Sequence, residues 1–242
     1  MNAAPTPASV RVEQVRRLLL RARALIFDVD GTLAETEELH RQAFNEAFAR
    51  SGMDWRWGRA VYKELLRVAG GKERIRAFDQ ARKSPQPLSD SDIAGLHRIK
   101  TACFADLLVK RGCPLRPGVN ALISAARERG QRLAIATTTS RENINGLLSA
   151  ALGRNWSDIF EVIVAGDEVA RKKPAPDVYL EVLSRLRLSG SDCVAIEDSA
   201  NGLVAAAQAE IPVLITRSLY FREDDFTGAL LVLDELCELS EP

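Results

Sequence analysis

From residue 24 onward, short apolar runs recur along the chain, and each stops at a polar residue. Ala24-Leu25-Ile26-Phe27 ends at Asp28, Leu133-Ala134-Ile135-Ala136 at Thr137, and Val162-Ile163-Val164-Ala165 at Gly166-Asp167. Cys193-Val194-Ala195-Ile196 ends at Glu197-Asp198, and Pro212-Val213-Leu214-Ile215 at Thr216-Arg217. Runs this short, without polar alternation, predict strands buried on both faces. Helical spacing fills the intervals. Pro117-Gly118 opens a segment with Leu122, Ala125 and Ala126 on one side, and Gly130 closes it. Pro174 and Pro176 stand where first-turn prolines are tolerated, ahead of Val178, Tyr179, Val182 and Leu183. Ser199 to Ala209 is alanine-rich and helical. This alternation predicts an α/β fold: a parallel sheet with helices on both faces.

One interval breaks the alternation. Between Leu33 and Arg116 no strand pattern occurs, while Leu39, Ala43, Phe44, Ala47 and Phe48 fall at helical spacing, as do Ile93, Leu96, Ile99, Cys103 and Phe104. Lys83-Ser84-Pro85-Gln86-Pro87 reads as a loop. So long a structureless loop is implausible inside a compact domain. An all-helical domain over 34–116 is expected instead, inserted into a core of 24–33 and 117–242. Residues 1–23 form an N-terminal extension. From Val10 to Arg23 it carries five arginines against one glutamate, as an organelle transit segment would. A short amphipathic helix ahead of the domain is the plainer alternative.

Composition narrows the class. Of 242 residues, 46% are hydrophobic and 27% charged, and 33 basic residues balance 33 acidic ones. A neutral chain has no global field to draw it onto nucleic acid or an anionic membrane, so neither is expected as a partner. No apolar run is long enough to span a bilayer. Cys103, Cys113, Cys193 and Cys237 form no CxxC, and His40 and His97 are the only histidines. A disulfide scaffold and a Cys/His zinc site are therefore not expected. A reducing, cytoplasmic setting is, with a plastid as the alternative if the arginine-rich arm is a transit segment.

The chemistry gathers at strand ends, where ligands bind in open parallel sheets. Asp28, Thr137 and Glu197-Asp198 should meet at one edge. Oxygen-only ligands favour magnesium over zinc, and magnesium suggests phosphate. In Asp28-Val29-Asp30-Gly31-Thr32 two carboxylates lie at i and i+2. One can attack phosphorus while its neighbour keeps a proton for the leaving oxygen. An Asp-x-Asp alone is also common in turns.

Four segments in order resemble the motifs of the haloacid-dehalogenase-like phosphohydrolases. They are Asp28-Val29-Asp30-Gly31-Thr32, Ala136-Thr137-Thr138-Thr139-Ser140, Lys172-Lys173-Pro174-Ala175-Pro176-Asp177, and Ile196-Glu197-Asp198-Ser199-Ala200-Asn201-Gly202. The resemblance covers residues 24 to about 233. It implies a Rossmann-like core with an inserted helical cap, and it implies roles. Asp28 would be the nucleophile and Asp30 the acid–base group. Magnesium would take the Asp28 and Asp198 carboxylates and the Asp30 carbonyl, with Glu197 as further ligand or support. Thr137, the Thr138 amide and Lys173 would hold the phosphoryl group, Lys173 being preferred over a solvated Lys172. Thr139 and Ser140 read as caps of the next helix, whose amides a substrate phosphate could also use.

The cap implies the subfamily of phosphoglycolate phosphatase and β-phosphoglucomutase. Glu35-Thr36-Glu37-Glu38-Leu39-His40-Arg41-Gln42-Ala43-Phe44-Asn45 and Ala69-Gly70-Gly71-Lys72-Glu73-Arg74-Ile75 resemble its CbbY branch, phosphatases of xylulose 1,5-bisphosphate beside the Calvin cycle. Xylulose 1,5-bisphosphate is thus the expected substrate. Phosphoglycolate, a mutase cycle or a non-catalytic binding role are the alternatives. Gly70-Gly71-Lys72 lacks the P-loop spacing and reads as a cap loop. Glu37 and Gly71 are expected to meet the sugar and Lys72 or Lys100 the second phosphate, with His40 in the same substrate site as a hinge or proton relay, or else packing at the domain seam. Arg74 and Arg116 are weaker candidates. The enzyme is expected to work as a monomer on a small sugar phosphate.

Overall fold

The computed structural model describes residues 7–83 and 85–239. Expectations touching residues 1–6, Ser84 and 240–242 lie outside the described residues. Six strands form one parallel sheet among them: β1 (Ala24–Phe27), β2 (Arg132–Ala136), β3 (Val162–Val164), β4 (Cys193–Glu197), β5 (Val213–Thr216) and β6 (Leu231–Leu233). Their order is β3-β2-β1-β4-β5-β6. The five expected strands form within one residue of their apolar runs. β6 is an addition, although Ala229-Leu230-Leu231-Val232-Leu233, stopping at Asp234, carries the same apolar-run signal as the other strands.

Alternate strand residues face opposite ways, and each face has its own core. Leu25, Phe27, Leu133, Ile135, Val194 and Ile196 pack with α6 (Val119–Glu128) and α7 (Arg141–Leu152). Ala24, Ile26, Ala134, Ala195, Val213 and Ile215 pack with α8 (Asp177–Leu186) and α9 (Ala200–Gln208). The N-terminal arm forms α1 (Pro7–Arg21), which joins the first of these faces. Its Val15 and Leu19 are core residues, Arg11 Nε donates to the Leu230 carbonyl, and Arg16 Nε to that of Leu239. Helix α1 thus packs into the core.

The interval between β1 and α6 holds α2 (Glu37–Arg50), α3 (Arg59–Leu65), α4 (Gly71–Ala81) and α5 (Asp90–Arg111). Phe44, Phe48, Trp57, Tyr62, Ile75 and Ile93 form a separate aromatic-rich core there. Tyr220, from the loop after β5, reaches into it. Gly70-Gly71-Lys72 corrects one expectation. It is not an open loop: Gly70 turns the chain at φ +96°, and Gly71 begins α4.

β1 lies between β2 and β4, so successive connections leave it in opposite directions. That reversal opens a crevice beyond the strand ends. Asp28, Thr137 and Asp198 directly follow β1, β2 and β4, and the helical insert stands over the crevice.

Candidate active site

The floor of the crevice concentrates charge. Lys173 Nζ donates to Asp28 Oδ1 (2.6 Å), to Glu197 Oε1 (2.6 Å) and to the Ala136 carbonyl (2.9 Å). Tyr179, from the first turn of α8, donates its hydroxyl to Glu197 Oε1 (2.6 Å). Asp28, Lys173, Glu197 and Asp198 are all at most 6% exposed. Three carboxylates share one ammonium. Burial, outweighing the Lys173 charge, pushes the Asp28 carboxyl up to about 7. Burial and the neighbouring Asp28 and Glu197 charges push Asp198 well above the carboxylate range. Lys173 is raised against its burial by Asp28 and Glu197.

That imbalance suits a cation. Ligand oxygens of Asp28, Glu197 and Asp198 lie within 4.8 Å of one another, and the buried Asp198 Oδ2 has no hydrogen-bond partner among the described residues. Gly31 crosses directly over it: a Cβ there would stand 1.9 Å from Asp198 Oδ2, and φ is +79°. At Gly202 a Cβ would lie 2.0 Å from the Glu197 carboxylate. Carboxylate oxygens alone, with no sulfur or imidazole among them, fit a hard divalent cation.

Asp30 faces the other way, toward the cap. Its Oδ1 accepts from Thr36 Oγ1 (2.5 Å) and lies 2.9 Å from His40 Nε2. Lys100 Nζ lies 2.7 Å from His40 Nδ1, and His40 stacks on Phe104. With Lys100 as an ammonium, Nδ1 accepts and Nε2–H donates. Burial would raise the Asp30 carboxyl, but His40 and Thr36 pull it below its ordinary range. Burial and the Lys100 charge lower His40, and burial brings Lys100 down to about 8.

Glu37 is also buried, its Oε2 accepting from the Tyr62 hydroxyl (2.6 Å), which accepts in turn from Arg74 Nη1 (3.1 Å). Two ion pairs close the mouth between core and insert: Lys172 with Glu73 (3.0 Å) and Lys72 with Asp167 (3.6 Å).

The site residues expected from the sequence line this pocket, except Glu197, which is fully buried, and the weaker candidate Arg116. Thr137 is buried beside Thr138, and its Oγ1 accepts from the Thr139 amide (3.3 Å). Ser140 caps α7, accepting from the Asn143 amide, but it also lines the pocket, as does Thr139. Lys172 is not a solvated neighbour: its side chain is 16% exposed and paired. Arg116 lies outside the pocket. Thr36, Tyr62 and Tyr179 were missed by sequence reasoning. Thr36 had a signal, standing directly before the amphipathic pattern of α2. The two tyrosines had none beyond apolar spacing.

A buried carboxylate at a strand end, a lysine bridging it to a second carboxylate, and acidic oxygens close enough to hold a divalent cation suit phosphoryl transfer on an α/β core. Comparison with known proteins agrees. Residues 22–210 match the haloacid dehalogenase-like hydrolase family. The chain is 52% identical over 210 residues to protein CbbY of Rhodobacter capsulatus, covering 87% of this chain and 92% of that one. A structure of CbbY from Rhodobacter sphaeroides in complex with phosphate matches with a TM-score of 0.86 at 49% identity, over 90% of this chain and 96% of that one. A mutant of that protein in complex with xylulose-(1,5)bisphosphate matches with a TM-score of 0.86 at 48% identity, with the same coverage. The chain belongs to the haloacid dehalogenase-like hydrolase family. Among the described residues no helix is long and apolar enough to cross a membrane.

Proposed function

We propose that this chain is a magnesium-dependent phosphatase that converts xylulose 1,5-bisphosphate to xylulose 5-phosphate and phosphate. The observation that carries the reading is the floor, where Lys173 bridges Asp28 and Glu197 while Asp198 keeps an unpartnered buried oxygen. Likeness to the relative bound to xylulose-(1,5)bisphosphate supports the substrate.

In this reading an Asp28 carboxylate oxygen attacks phosphorus and the phosphorus–sugar oxygen bond breaks. Asp30, reprotonated at the end of each cycle by the attacking water, gives that proton to the leaving oxygen. A water then attacks the aspartyl phosphate, Asp30 takes its proton, and the bond to Asp28 breaks. The Thr137 hydroxyl and Thr138 amide hold the phosphoryl oxygens, and Lys173 offsets their charge. A divalent cation held by Asp28 and Asp198, with the Asp30 carbonyl and Glu197 behind, would neutralise the approaching phosphate.

Residues 34–116 act as a cap that excludes water. Glu37, His40 and Gly71 face the sugar, and Lys72 the second phosphate. Lys100 acts chiefly on His40. All of this comes from one chain, so the enzyme needs no second copy. We read it as cytoplasmic, with α1 retained, since α1 supplies Val15 and Leu19 to the core.

The test is a panel of sugar phosphates and phosphoglycolate with magnesium, scored by released phosphate. Xylulose 1,5-bisphosphate should give the highest kcat/KM. Asp28→Asn should keep the fold and lose on the order of 10⁴-fold in kcat. Near-normal turnover by that variant rejects the covalent mechanism.

A further inference from the structure

Arg116 takes no part in the steps above, yet it is among the most fully bonded side chains in the molecule. It lies on the segment that returns the chain from α5 to α6 and is 5% exposed. A guanidinium has five N–H donors, and here each has an acceptor. Nε donates to Glu235 Oε2 (3.2 Å), and Nη2 to the carbonyls of Arg217 (2.8 Å) and Asp234 (2.7 Å). Nη1 donates to the carbonyls of Gly31 and of Thr216 (3.2 Å). The Arg116 backbone N–H donates to the Leu33 carbonyl (2.9 Å), on the outgoing connection to the cap. One residue therefore ties both cap connections to the ends of β5 and β6 and to the loop after β1.

The bond to Gly31 has the nearest chemical consequence. Gly31 directly follows Asp30, and its other side abuts Asp198. Gly31, the residue next to Asp30, is thus held between a buried cation and a buried carboxylate. We propose that Arg116 is a positioning residue: its guanidinium holds the Gly31 carbonyl so that Asp30 stays aligned for proton transfer while the cap moves. The proposal rests on the reading of Asp30 as the acid–base group. A lysine could not replace it, because one ammonium cannot reach carbonyls on three separate segments in fixed directions.

Leaving-group dependence tests this. Single-turnover phosphoryl transfer is measured from xylulose 1,5-bisphosphate, whose sugar oxygen needs a proton, and from nitrophenyl phosphate, whose leaving group does not. Asp30→Asn sets the scale and should slow the sugar substrate selectively. Arg116→Lys, with Arg116→Gln as a second variant, should show the same bias, at least about tenfold, below its thermal midpoint. Equal losses on both substrates would make Arg116 a general support and overturn the proposal. Glu235→Gln leaves the guanidinium on Gly31 and should keep the wild-type ratio. A bias in that variant as large as in Arg116→Lys would assign the effect to a softened core, again overturning it. If Asp30→Asn itself shows no bias, the reading of Asp30 fails, and that failure is seen independently of Arg116.

Discussion

The floor and the roof of the pocket are both polar and both buried, but they are held differently. On the floor, charge meets charge: Lys173 stands 2.6 Å from each of two carboxylates, with a third close by. In the roof, charges are relayed through neutral groups. Tyr62 stands between Glu37 and Arg74, and His40 between Asp30 and Lys100. The floor hangs on strand ends whose register the sheet dictates, and the roof on helices packed around an aromatic core. A floor can therefore keep its chemistry while a roof changes its substrate.

The largest expected break is at the floor. Lys173→Met leaves Asp28 and Glu197 facing each other without their shared cation. Removing one partner of a buried pair costs about 3–5 kcal/mol, because the other charge stays buried. Chemical denaturation should show a loss of that order without metal, with a partial recovery on adding magnesium. Unchanged stability without metal would mean the floor tolerates its own negative charge.

Chelation probes the same imbalance from outside. A divalent cation that binds only the folded chain stabilises it by mass action, about 2.7 kcal/mol at a hundredfold excess over Kd. Magnesium should raise the thermal midpoint of the wild-type chain, and Asp198→Ala should abolish most of that rise. A rise that survives in Asp198→Ala would place the cation elsewhere.

Tyr62→Phe reaches the roof. It strips one hydroxyl that donates to Glu37 and accepts from Arg74, leaving a buried carboxylate short of a partner. About 1–3 kcal/mol of stability should go. Because Glu37 lines the pocket, kcat/KM for the sugar phosphate should fall as well. Phosphoryl transfer from nitrophenyl phosphate, which has no sugar hydroxyls, should hold.

These contrasts also explain what could be read from sequence. Asp28, Thr137, Glu197 and Asp198 were legible because each terminates an apolar run, and a parallel sheet brings run ends to one edge. Lys173 was legible only through the likeness of its motif, since nothing local says that a lysine before a proline will cross to β1. Tyr62 and Tyr179 were not legible. Their hydroxyls bond carboxylates 25 and 18 residues away, and packing alone decides those pairings. β6 is different: Ala229-Leu230-Leu231-Val232-Leu233, ending at Asp234, carries the same run signal as the other strands, and it pairs with β5 at the sheet edge. Packing decides α1 as well, where arginines that look like a targeting pattern end up on backbone carbonyls of the core.

The smallest expected effect lies at the mouth. Lys72 pairs with Asp167 at 3.6 Å, and both side chains are more than 40% exposed. An exposed pair of this kind contributes about 0–1 kcal/mol, so Lys72→Met should barely move the thermal midpoint. Its effect should appear in substrate choice instead. A second phosphate arriving at the mouth carries two negative charges and competes with Asp167 for the ammonium. A charge-assisted contact contributes about 1.5–3 kcal/mol when sheltered, and less in an open mouth where salt screens it within about 8–10 Å. Lys72→Met should therefore lower kcat/KM for xylulose 1,5-bisphosphate several-fold at low salt, and less as salt rises. A monophosphate should be unaffected. Asp167→Asn provides the opposite lever, since it frees the ammonium and should raise kcat/KM for the bisphosphate slightly. If Lys72→Met slows both substrates equally, the lysine serves cap closure. If it slows neither, the second phosphate belongs to Lys172 or Arg74, which line the same pocket.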